Sequence, residues 1–317
     1  MIDISKLLVL DAHCDIITKI METDEALYAN NCHFDLQRLE KYDNFVQFFA
    51  AFVSPIYCPD NAYQRCMDII KKFETEMAKN KAHILFSKKY QDIVDAMDSG
   101  KAAAILTIEN GAALEGNIQK LDEFYALGVR SICLTWNGSN QIACGVGGDN
   151  LGEGLRPFGI DVVKRMNELG MLVDISHINE AGFWDVISTS VSPIIASHSN
   201  AKKVCDHRRN LTDDQFKALI KNKGVAGINL CPPFLNESGN ADMHDVLRHI
   251  EHFMSLGGED SIGMGADFDG ISDTPNGIRG AENLMDIFDA LLGMNYTEEQ
   301  VRKIAGLNFL RVLKQVL

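Results

Sequence analysis

No two cysteines of this chain stand in a C-x-x-C arrangement, although there are eight, at positions 14, 32, 58, 66, 133, 144, 205 and 231. That spacing suggests neither a zinc ribbon nor a thioredoxin-like redox motif. Positive charge is scarce: 30 Lys and Arg face 44 Asp and Glu, a formal net charge of −14. Such a surface is a poor match for a nucleic-acid backbone or an anionic membrane, and it keeps a protein dispersed. No apolar stretch approaches the ~20 residues that span a bilayer. The opening "MIDISKLLVLDAHCD" lacks a basic n-region, and its apolar run is about half the length of an h-region. There is no low-complexity segment and no interdomain linker. The expectation is a cytoplasmic protein with reduced thiols and with neither nucleic acid nor membrane as partner.

What the chain does have is a recurring unit. A short run of Val, Ile, Leu and Ala is followed by a turn and then by a segment of helical period. Eight runs are visible: 7–13, 45–53, 102–109, 131–136, 172–177, 192–198, 224–230 and 261–267. Helical segments lie between them. Gly128 closes one, Pro157 opens another that ends at Gly170, and "TDDQFKALIKNKG" runs from a Thr/Asp cap to Gly224. Continuous apolar runs separated by helices imply parallel strands covered on both faces. Eight such units over residues 1–317 fit a single-domain (β/α)8 barrel. An open doubly wound sheet is the rival, but the glycine-rich phosphate turn it would place after an early strand is missing.

The ends of these runs carry costly side chains. The first run leads into His13 and Asp15, the third ends in Glu109, the fifth in His177, the sixth in His198 and the eighth in Asp267. In a barrel these ends meet at one mouth, where active sites are built. Singly, each has an ordinary explanation: His13 and Asp15 as turn caps, Glu109 as a helix cap, His177 and His198 as satisfied core histidines. Their joint position argues otherwise. Carboxylates gathered without a cation would repel one another, whereas two divalent ions sharing a carboxylate would satisfy all six groups. By contrast, His244, His249 and His252 in "MHDVLRHIEHF" read as a solvated helix face, and Cys14 as packing turned away from its neighbours.

The motifs "DAHCD", "IENG", "LVDISH", "ASHSNAKKVCDHRRNLTDD" and "GADFDG", in this order, resemble the renal (membrane) dipeptidase family of the metal-dependent amidohydrolase superfamily. The resemblance runs from residue 11 to the last helix. It implies two Zn2+ ions, with His13 and Asp15 on one, His177 and His198 on the other, and Glu109 bridging. It implies that Arg209 holds the carboxylate of a small dipeptide, that Asp267 contacts its amino group and moves protons, and that Arg208 and Asp269 support them. A metal-bridging hydroxide would attack the peptide bond. A homodimer is a further family-based expectation. Two positions depart from the family pattern. Trp136, in "LTWN", stands where a histidine is usual, with Asn137 beside it as a substitute donor. Phe234 stands where a tyrosine is usual. Both changes bear on the substrate more than on the hydrolytic chemistry. Another amidohydrolase, such as a deaminase or a cyclic-amide or lactone hydrolase, and a catalytically impaired metal-binding barrel remain as alternatives.

Overall fold

The computed structural model describes residues 4–317; the first three residues of the stretch read for a leader lie outside the described residues. The described residues form nine parallel strands: β1 (Leu8–Cys14), β2 (Asn44–Phe52), β3 (Ile84–Phe86), β4 (Ala102–Glu109), β5 (Val129–Cys133), β6 (Leu172–Asp174), β7 (Ile195–Ala196), β8 (Val225–Ile228) and β9 (Ile262–Met264). Each of the eight apolar runs overlaps one of them. Eight strands close a ring in the order β1, β2, β4, β5, β6, β7, β8, β9, with helices around it. The ninth, β3, pairs with Ala102–Ala104 of β4, on the edge whose later residues pair with β5. Three residues are too short to register as an apolar run, so β3 has no signature in the sequence.

The ring is held unevenly. β2 and β4 pair from Val46↔Ala103 through Phe52↔Glu109. At the other seam, β1 and β9 share the single pair Asp11↔Met264. Asp11 compensates: its Oδ1 accepts the Ala266 N–H at 2.7 Å and its Oδ2 accepts from Gln47 Nε2 at 2.9 Å. Burial pushes this carboxyl up to about 6 in spite of those bonds.

The helix ends follow local chemistry. Pro157 is the first residue of the helix Pro157–Leu169, and Gly170 ends it in the left-handed region at φ 70. Thr212 and Gln215 form a capping box for Asp213–Lys221. That helix does not run to Gly224, as its sequence suggests; it stops at Lys221 on Asn222, and Lys223 takes the positive φ of 63. Gly224 is needed for space instead, since a Cβ there would sit 2.2 Å from the Ile194 carbonyl oxygen. The C-terminal amphipathic segment forms Glu298–Arg302, a π-helical turn at Lys303–Leu307, and Asn308–Val316. Its Gly306 lies so close to β1 that a Cβ would meet the Leu8 oxygen at 2.7 Å. Phe309, Val312 and Leu313 join Leu10, Val46, Phe48 and Ile105 in an apolar cluster distinct from the larger one beneath the outer helices.

Candidate metal centre and active site

The polar residues collect at the C-terminal ends of the strands. Only His13 and Glu109 lie within strands. β6, β7 and β9 are shorter than their apolar runs, so His177, His198 and Asp267 stand two or three residues beyond them. His177 and Asp267 have φ of 70 and 63, and Asp269 has 68. Left-handed backbone at a non-glycine residue costs on the order of 1 kcal/mol and gathers at functional sites. On β1, the register against β2 shifts between Asp11 and Cys14. This bulge re-aims the strand end. His13 and Asp15 face the centre, and Cys14 packs into the larger apolar cluster.

Glu109 is the hub. Its Oε2 lies 3.4 Å from His13 Nε2, and its Oε1 lies 2.9 Å from His177 Nε2 and 3.8 Å from His198 Nε2. On the first side, His13 Nε2 is 3.2 Å from Asp15 Oδ2 and 3.9 Å from Asp267 Oδ1. Asp15 occupies the N-cap position of the helix Ile16–Thr23, yet its side chain makes no capping bond. Both His13 Nε2 and Asp15 Oδ1 are buried without a hydrogen-bond partner. All six groups are buried.

The second side is organised by hydrogen bonds. Asn137 Oδ1 lies 2.9 Å from His177 Nδ1 and accepts its proton. Ser197 Oγ donates to Asp174 Oδ2 and sits 2.7 Å from His198 Nδ1, so it accepts from that nitrogen. Each ring therefore keeps an unprotonated Nε2, and these two nitrogens face each other at 2.9 Å. Two lone pairs and a carboxylate oxygen converging in a buried space have no proton to share. A cation is the group that fits them. His13, Glu109 and His198 can hold an ion together, as can His13, Asp15 and Asp267.

The electrostatics agree. Burial draws His13 down, but Glu109 and Asp15 outweigh it and hold the imidazole well above its ordinary range. Burial lowers His177 to about 4, with Arg209 adding to the effect, and holds His198 well below the ordinary histidine range. Burial raises Asp267 to about 7 and Asp15 to about 6, and repulsion among the carboxylates adds to both. Burial alone would raise Glu109, but His13 and His177 hold it ionised. This is a set of groups poised for a divalent ion rather than for protons.

A cavity of about 610 Å³ opens above the cluster. Trp136, Asn137 and Phe234 line it, as do Asp267 and Asp269. Trp136 stacks on His177 at 6.0 Å between centroids, and Phe234 stacks on His207 at 4.4 Å. Arg209 is buried beside this wall, its guanidinium 5.7 Å from the centroid of the Phe234 ring. It borders a smaller cavity of about 60 Å³ that shares His177. Its guanidinium donates to the His198 carbonyl at 3.0 Å, while its Nε is buried without a partner. Arg208 borders the same small cavity. Asp269 pins a loop by accepting the backbone N–H groups of His33 at 2.7 Å and Phe34 at 3.1 Å.

Several residues escaped the sequence reading. Asp174, Ser197 and Asn229 support the cluster, the last by donating to Asp267 Oδ2 at 2.9 Å. Phe52, at the end of β2, shares the cavity wall. The signal for Asp174 and Ser197 is their place, as polar residues inside strand-end runs. The reading of His249 is corrected: it is fully buried, not solvated. It sits in helical register with Val246, Ile250 and Phe253, on the apolar face. Its Nδ1 accepts from Ala201 N–H at 3.0 Å, and its Nε2 lies 3.1 Å from the Leu235 oxygen. His252 also has a carboxylate from another unit, Asp213, at 2.8 Å. His244 is exposed, as expected.

Comparison with known proteins agrees with this geometry. The family model for membrane dipeptidase, peptidase family M19, matches residues 4–317. An uncharacterised dipeptidase of Schizosaccharomyces pombe is 31% identical over 299 residues, covering 89% of this chain and 72% of that protein. Dipeptidase AC, a metallopeptidase of family M19, superimposes with a TM-score of 0.91 at 27% identity, covering 98% and 99% of the two chains. A metallopeptidase from Rhodobacter sphaeroides, whose structure holds a phosphinate mimic of the dipeptide L-Ala-D-Ala, gives 0.89 at 26% identity, covering 98% and 100%. The chain belongs to the membrane dipeptidase family, peptidase family M19, and is a hydrolase of the metallo-dipeptidase class. Despite the family's name, no helix among the described residues is long and apolar enough to cross a membrane.

Proposed function

We propose that this protein is a binuclear zinc dipeptidase that cleaves the peptide bond of small dipeptides. The observation that carries the reading is the division of Glu109. One carboxylate oxygen faces His13 and the other faces His177 and His198, as a bridging ligand requires. His13 and Asp15 would hold one ion, and His177 and His198 the other. Bound divalent ions supply an acidified water and an electrophile for the scissile carbonyl.

The chain's own groups do the rest. Asp267 lines the cavity, with its Oδ1 3.9 Å from His13 Nε2, so its carboxylate is placed to take up a proton and return it to the departing nitrogen. Asn229 holds that carboxylate in place. Arg209 offers a planar fork for the substrate carboxylate, and its unpartnered Nε supports that role. Trp136 cannot carry a proton in the place of a histidine. Asn137 spends its carbonyl on His177, so the substitute donor must be its amide NH2. The dipeptide mimic bound to the Rhodobacter relative supports a substrate of this size.

The test is metal analysis of the purified protein combined with hydrolysis of L,L- and L,D-dipeptides and their C-terminal amides. About two zinc ions per chain and turnover of free dipeptides are expected. Arg209→Ala should mainly raise KM. Amides cleaved as well as free acids would favour another amidohydrolase, and full turnover by rigorously metal-free protein would end the reading.

A further inference from the structure

The arrangement of the cavity wall extends the dipeptidase reading to the kind of dipeptide. Strand order supplies directions. In the ring, β9 lies opposite β5, and β6 lies between β5 and β7. Asp267, Asp269 and Asp273 follow β9 and line the cavity, giving an acidic arc suited to an ammonium. A dipeptide whose amino group is held there reaches across the mouth, so its carboxy-terminal residue comes to rest over β6 and His177. Arg209, beyond β7, then lies to one side of that residue, and β5 to the other. The wall on the β5 side is Trp136, with Phe52 of β2 packed on it at 5.6 Å between centroids. Both are partly exposed to the cavity. Asn137, the polar neighbour, is engaged with His177.

We propose that Trp136 and Phe52 form the subsite for the side chain of the carboxy-terminal residue, and that they select dipeptides with a large apolar or aromatic residue there. The carboxylate turns toward Arg209 and the side chain toward the aromatic pair. Trp136 thus exchanges a titratable ring for a binding surface, and its stacking on His177 at 29° between planes keeps that surface fixed.

The experiment measures kcat/KM for Gly-Phe, Gly-Leu and Gly-Ala, and for the reversed series Phe-Gly, Leu-Gly and Ala-Gly, with zinc-loaded enzyme. Gly-Phe should exceed Gly-Ala by about ten-fold or more. Trp136→Ala and Phe52→Ala should each shrink that ratio to within about three-fold, while the Phe-Gly to Ala-Gly ratio stays put. A preference erased in the reversed series instead, or a ratio that neither variant moves, overturns the assignment. A binding arm separates this from the dipeptidase reading. The chain has two tryptophans, and Trp184 lies on the outer helix Glu180–Thr189. Trp184→Phe leaves Trp136 as the fluorescent reporter. A hydrolysis-resistant reduced-amide analogue of Gly-Phe should perturb its emission at lower concentration than the analogue of Gly-Ala. That order without turnover of any dipeptide keeps the subsite and sinks the peptidase reading. Turnover with the binding order absent sinks the subsite alone.

Discussion

The two sides of Glu109 are built differently. On the side of His13, two further carboxylates crowd one imidazole, and atoms lie buried with no hydrogen-bond partner. On the side of His177 and His198, each imidazole is steered by a neighbour, Asn137 in one case and Ser197 backed by Asp174 in the other. The first side relies on surplus negative charge, the second on oriented neutral nitrogens. Charge attracts an ion without fixing its position, while orientation fixes the ligands at the cost of extra buried polar groups that must all be satisfied.

This contrast can be broken from the middle outward. Glu109→Gln removes the group common to both sides, and we expect kcat/KM to fall by about three orders of magnitude or more, with metal content reduced. Ser197→Ala or Asp174→Asn leaves every proposed ligand in place but releases the His198 tautomer. Zinc affinity, measured by competition with a chelator, should drop about 10- to 100-fold. Asn137→Ala acts on a half-buried bond, so about a ten-fold loss is expected by the same assay. A separate effect, on stability and not on the metal centre, concerns a histidine outside the cluster. Burial lowers folded His249 to about 4, against ~6.5 when unfolded. Its neutral form supports the fold fully above ~6.5, and that support is lost as pH falls toward 4, because the unfolded chain then binds the extra proton. His249→Gln should flatten the rise of stability between pH 4 and 6.5 by up to one proton, about 1.4 kcal/mol per pH unit, in denaturant titrations.

The barrel and its central cluster were legible because both are periodic. Each strand of the ring announces itself by a run of apolar residues, and each ligand candidate falls at or just beyond the end of its strand. What stayed hidden has no period. β3 is only Ile84–Phe86. Asp174 and Ser197 look like residues of a strand end until their partners are known. His249 was misread because charged residues surround it in sequence, and the register with Val246 and Phe253 was outweighed by them. Arg209 was found by resemblance, but its seat beside the main cavity depends on how the loop beyond β7 folds back, which no local pattern encodes.

The close contact of Gly306 with β1 has a bearing on how the molecule comes into being. β1 finds its inner apolar partners, Phe309 and Val312, only when the segment that follows β9 has been made. Until then the seam between first and last strands is unsealed. A chain stopped before Lys303 should be recovered as protease-sensitive material, because its floor was never laid.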